Sequence, residues 1–112
     1  MVNDAAAVDR TRGALAAVVG AENVIDPGPV TGSEDVGVLG TAAGAPIVFW
    51  LLGGADPAAF AGASSLQDIA RIVADLPSNH SPQYAPVEEP TIRIGVDALS
   101  AAAREWLASH PG

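Results

Sequence analysis

The chain has 112 residues, 49% hydrophobic and 16% charged, which is enough apolar material for one folded domain and too much for a disordered tail. Thirteen acidic residues against five arginines and no lysine leave a net charge of −8, arguing against a nucleic-acid backbone or an anionic membrane surface as partner. There is no cysteine, so disulfide frameworks, thiolate metal sites and cysteine nucleophiles are excluded within the chain.

In chain order, residues 4–19 place Val8, Leu15, Val18 and Val19 on one side of a helix otherwise rich in alanine. Asn3 or Asp4 caps its start and Gly20 ends it. Val24 and Ile25 begin like a strand but run into Pro27, Gly28 and Pro29, so the segment reads as a loop. Thr31 and Glu34 have the spacing of a capping box before a second helix over residues 34–43, which Gly44 and Pro46 stop. Residues 47–52 are apolar at every position, with β-branched and aromatic side chains and no alternation, the pattern of a strand buried on both faces.

Gly53 and Gly54 turn the chain, Asp56 caps, and Pro57 opens a helical turn through Phe60. Leu66, Ile69, Ile72, Val73 and Leu76 then share one face of a helix predicted over residues 65–76. Four prolines between residues 77 and 90 prevent long regular structure there. The last element, residues 91–109, repeats Ile92, Val96, Leu99, Ala103 and Trp106 at intervals of 4, 3, 4 and 3, which predicts a helix with that stripe buried and Arg93, Asp97, Arg104 and Glu105 exposed.

One buried strand needs neighbours, and no other segment is a comparable strand. Weak strands near Val24 and Val87, a second copy, or the rest of a larger α/β domain would have to supply them. The N-terminus carries no basic stretch before an apolar one, and residues 47–52 fall far short of the roughly 18 residues of a membrane span, so a cytoplasmic protein is expected.

Among candidate chemical groups, the adjacent carboxylates Glu34 and Asp35 point about 100° apart on a helix and suit its N-terminus better than paired acid–base work. No Lys-Ser/Thr pair follows Gly53-Gly54, so the glycines read as a turn rather than a phosphate loop. His80 lies in Pro77-Ser78-Asn79-His80-Ser81-Pro82, a polar ring between two stiffening prolines with Asn79 and Ser81 beside it, which suits either a solvated loop histidine or a metal ligand. His110 adjoins the C-terminus and reads as frayed, while Trp50 and Trp106 fall at predicted core positions. Neither Ser33 nor Ser81 has the surroundings of a serine nucleophile.

Three stretches in order resemble one family: Thr31-Gly32-Ser33-Glu34-Asp35; residues 46–54 with Asp56-Pro57; and the His80 segment continuing through Gln83-Tyr84-Ala85-Pro86-Val87 to Glu89-Pro90-Thr91 and Gly95-Val96-Asp97-Ala98-Leu99. They are similar to the C-terminal end of the dinuclear-metal amidohydrolases, such as hippurate hydrolase, N-acyl-amino-acid amidohydrolases and aminobenzoyl-glutamate hydrolase. The resemblance covers nearly the whole chain from Asn23 onward; Val36 stands where an aromatic is usual, and residues 62–75 look longer than typical. It implies that residues 1–112 are the C-terminal part of an α/β metallopeptidase catalytic domain, mostly helices with one strong buried strand, the rest of the sheet lying upstream. It also implies that His80 is a ligand of a pair of divalent metals (zinc, manganese or cobalt), that Asn79 and Ser81 support it, and that Ser33, Glu34 and Asp35 lie near the active site. Two such metals polarise an amide carbonyl and generate hydroxide, while a carboxylate moves the proton to the leaving amine. The family's Cys-x-His motif, its upstream Glu-Glu pair and its other histidine ligand are not in this sequence. The expectation is therefore hydrolysis of small N-acyl amino acids or related amides by the complete enzyme and no activity in this chain alone. A chain without the upstream part would otherwise be a non-catalytic interaction module that self-associates or complements a partner.

Overall fold

The computed structural model describes residues 2–30 and 34–108, and every regular element among them is helical. The expected α/β architecture with a buried strand is thereby overturned. The elements are α1 (Ala5–Val19), α2 (Val36–Ala43), α3 (Leu66–Asp75) and α4 (Glu88–Leu107), with short 3-10 helices at Ala21–Asn23 and Pro57–Phe60. The chain divides into two compact units, one of Met1–Leu51 with Arg93–Gly112 and one of Leu52–Ile92.

In the first unit, α1 starts where the Asp4 carboxylate accepts from the Ala7 N–H and ends at Gly20, whose N–H returns to the Ala16 carbonyl. It buries Ala7, Thr11 and Leu15, spaced by four residues on one face, with Val8, Val18 and Val19 half-buried. The Asn23 side chain donates to the Val19 carbonyl at 2.7 Å and Arg12 donates to the Val24 carbonyl at 3.0 Å. The last carbonyl of α1 and the Val24 carbonyl are thus satisfied by side chains, in the segment that offered only a weak strand.

α2 begins two residues later than the sequence pattern predicts: Asp35 takes the cap position without a side-chain cap, and Glu34 Oε1 accepts from the Val36 N–H at 3.0 Å. Thr31, the expected capping residue, and Ser33 lie outside the described residues. Gly44 closes the helix in the left-handed conformation (φ 61°), which only glycine adopts without penalty. Gly40 is buried, and a Cβ there would collide with the Ile47 side chain at 2.3 Å.

Residues 47–52 are the principal correction. Ile47 to Trp50 are half-buried, whereas Leu51 and Leu52 are 67% and 44% exposed, and the segment pairs with no strand among the described residues. The physical reason is partner supply. A β-ladder needs a second run of backbone donors and acceptors, and the weak candidates near Val24 and Val87 spend theirs elsewhere, Val24 on Arg12 and Val87 on a bond to the Gly54 carbonyl.

α4 corrects the second pattern. Its buried residues are Ala98 and Ala102, with Trp106 half-buried one turn on, while Ile92, Val96 and Leu99 are 65%, 59% and 62% exposed and Ala103 is exposed. The helix has two apolar faces of the same period, one large and one small. Two links hold the small one toward α1: Trp106 Nε1 donates to Thr11 Oγ1 at 3.0 Å, and Arg10, stacked 4.2 Å over the Trp106 ring, pairs with the Glu105 carboxylate and backbone carbonyl. Arg93, Asp97, Arg104 and Glu105 are exposed as expected, while Ser109 and His110 lie outside the described residues.

The second unit follows its local signals closely. Asp56 accepts from the Ala58 N–H ahead of Pro57–Phe60, and Ser65 caps α3 by accepting from the Asp68 N–H. Ile69, Ile72 and Leu76 are half-buried, whereas Leu66 and Val73 are 63% and 55% exposed.

Candidate functional site

The proline-bounded loop after α3 forms two consecutive turns around His80. The Ser81 N–H donates to the Ser78 carbonyl at 2.8 Å, and the Tyr84 N–H donates to the Ser81 carbonyl at 3.0 Å. Ser81 Oγ accepts from the Gln83 N–H at 3.1 Å and lies 2.7 Å from Gln83 Oε1, to which it donates. Pro77 and Pro82 fix one backbone dihedral each on either side of this arrangement. Asn79 and His80 are exposed, and neither side chain has a hydrogen-bond partner among the described residues. Ser81 therefore stiffens the loop by bonding forward to Gln83, and the imidazole stands with both nitrogens available.

Glu34 and Asp35 are in the other unit, exposed at the start of α2, where they border a shallow depression floored by Val36, Val38 and Leu39. Ser33 lies outside the described residues. Glu34 Oε1 is engaged with the Val36 N–H, a local role at the helix start. Trp50 is half-buried in the first unit, and Trp106 serves as the anchor for Thr11 and Arg10.

The best-developed polar cluster is at the start of α3. Asp68 Oδ2 accepts from Ser65 Oγ at 2.8 Å and from the Ser64 N–H and hydroxyl at 3.1 and 3.0 Å. These bonds, the Ser65 hydroxyl first, hold the Asp68 carboxyl below its usual range. The cluster satisfies free donors ahead of the helix and is explained by capping.

For a metal, the donor set decides. Among the described residues no three His, Cys, Asp or Glu side chains come together to hold an ion. His80 offers one imidazole, and a stable site requires about four ligands. The described residues do not by themselves fit a metal pair.

Sequence reading missed the pairing of the Asn3 side-chain amide with the Phe49 backbone N–H and carbonyl, both at 2.8 Å, and the Arg10–Trp106–Thr11 lock. Both join residues far apart in the chain, and no spacing rule signals either. Among the described residues no helix is long and apolar enough to cross a membrane. No family model, curated protein or solved structure matches the chain.

Proposed function

We propose that this chain is the C-terminal portion of a metal-dependent amidohydrolase that cleaves small N-acyl amino acids or related amides. In this reading His80 is a ligand of the zinc, manganese or cobalt pair, Asn79 and Ser81 belong to its supporting loop, and Ser33, Glu34 and Asp35 lie near the active site. The observation that supports it is the His80 turn. Hydrogen bonds pin the backbone through Ser81 while the ring is exposed and unpartnered, so it gives up no protein hydrogen bond when it takes a ligand. The chain contributes one ligand and no general base, so it is inactive alone.

Joining the chain to the upstream part of an N-acyl-amino-acid amidohydrolase that carries the Cys-x-His and Glu-Glu motifs tests this reading. Metal-dependent hydrolysis that His80→Ala abolishes without unfolding the chimera is the expected result. Hydrolysis undiminished by His80→Ala refutes the assignment. A second reading, a non-catalytic interaction module, is favoured by the exposed apolar side chains Val96, Leu99 and Leu107 on α4.

A further inference from the structure

The N-terminal residues engage the backbone groups of Ile47 and Phe49 and leave those of the half-buried Val48 and Trp50 without a hydrogen-bond partner among the described residues. The Asp4 N–H donates to the Ile47 carbonyl at 3.0 Å. Asn3 then matches Phe49 twice, its Oδ1 accepting from the Phe49 N–H and its Nδ2 donating to the Phe49 carbonyl, both at 2.8 Å. The Asn3 amide thus replaces one residue of a neighbouring strand. Residues 47 and 49 turn their backbone groups the same way, the period of two of an extended chain. The N–H and C=O groups of Val48 and Trp50 consequently turn the opposite way, and none of these four groups has a hydrogen-bond partner among the described residues.

Two further features select what fills that edge. Between Asp35 and Asp56 the chain has no charged residue at all, so the side chains that ordinarily deter edge-to-edge pairing are missing from a run of β-branched and aromatic residues. The edge is also self-complementary. In an antiparallel pair of copies, Val48 of each faces Trp50 of the other, and each facing pair exchanges two bonds, for about four in all.

We propose that residues 47–51 are a self-association edge, through which two copies of this chain pair antiparallel by the backbone groups of Val48 and Trp50. Assembly stops at two because Asn3 and Asp4 occupy the opposite edge. Each copy carries a net charge of −8, so the copies repel and added salt tightens the pair. The inference concerns this chain on its own, and neither metal nor substrate enters its test, so its failure is distinguishable from that of the amidohydrolase reading.

The test is sedimentation velocity of the full chain over a range of concentrations at low and high salt, with amide I infrared spectra on the same samples. A monomer–dimer equilibrium that tightens with salt is expected, together with an intermolecular β band that grows with concentration. Trp50→Pro removes the Trp50 donor from both copies, half of the bonds, and is expected to weaken association roughly a hundredfold with the helical circular dichroism retained. If that variant loses its helical signal, Asn3→Ala decides: it opens the second edge and is expected to carry assembly past the dimer. A chain that stays monomeric throughout overturns the proposal, as does a dimer without the β band. So does a folded Trp50→Pro variant that associates as tightly as the parent, or an Asn3→Ala variant that assembles no further than the parent.

Discussion

The bond from Trp106 to Thr11 can be weighed by replacing Thr11 with Val, which keeps the branched shape and removes the acceptor. Thr11 is 2% exposed and its Oγ1 lies 3.0 Å from the indole nitrogen. Losing a net hydrogen bond costs about 0.5–1.5 kcal/mol, and an indole N–H shut away from water would cost about 1–3. The Trp106 side chain is half-buried, so water recovers part of that loss, and the new buried methyl returns up to about 0.8 kcal/mol. The expected net destabilisation is about 1 kcal/mol, a fall in melting temperature of roughly 5 °C for a chain of this size. Trp106→Phe removes the donor instead, and a double-mutant cycle by urea denaturation should give a coupling of about 1 kcal/mol between the two positions. If Thr11→Val and Trp106→Phe add to within about 0.3 kcal/mol, the bond does not hold α1 to α4 and the corrected face of α4 loses its principal support.

Three further outcomes are expected. Ala98→Leu should destabilise the chain by about 1–3 kcal/mol through overpacking, whereas Leu99→Lys, on the exposed face, should stay within about 0.5; thermal unfolding that ranks them the other way restores the large-residue stripe as the buried one. The Asp68 carboxyl titrates below its usual range, so the stability it contributes is present above the unfolded value and is lost as pH falls through the folded one; carbon-detected NMR should show Ser65→Ala raising that titration toward the ordinary value. Calorimetric titration of the chain with zinc should show no tight stoichiometric site, since one imidazole supplies too few ligands, and a tight site would mean that other residues complete one.

What was legible in the sequence is what a few neighbouring residues decide among themselves. Asp4 capping α1, Gly20 ending it, Asp56 and Pro57 opening a 3-10 turn, and Ser65 capping α3 are bonds closed within about four positions. The same local chemistry marked the proline-rich segment around His80 as one that forms no long regular structure, since Pro77 and Pro82 each fix a backbone dihedral. Helical period, however, records only the angle between residues. It could not choose between the large apolar face of α4 and the alanine face, because that choice was made by Thr11 and Arg10 meeting Trp106 and Glu105 about 95 positions away. Residues 47–52 failed for the same reason in another form. Their composition favours a strand, but a strand exists only where a second backbone supplies donors and acceptors, and here the Asn3 side chain and the Asp4 N–H fill one edge in place of a sheet. Caps and turns are decided by adjacent atoms, whereas faces and ladders are decided by what the fold brings near them, and only the tertiary structure holds that information.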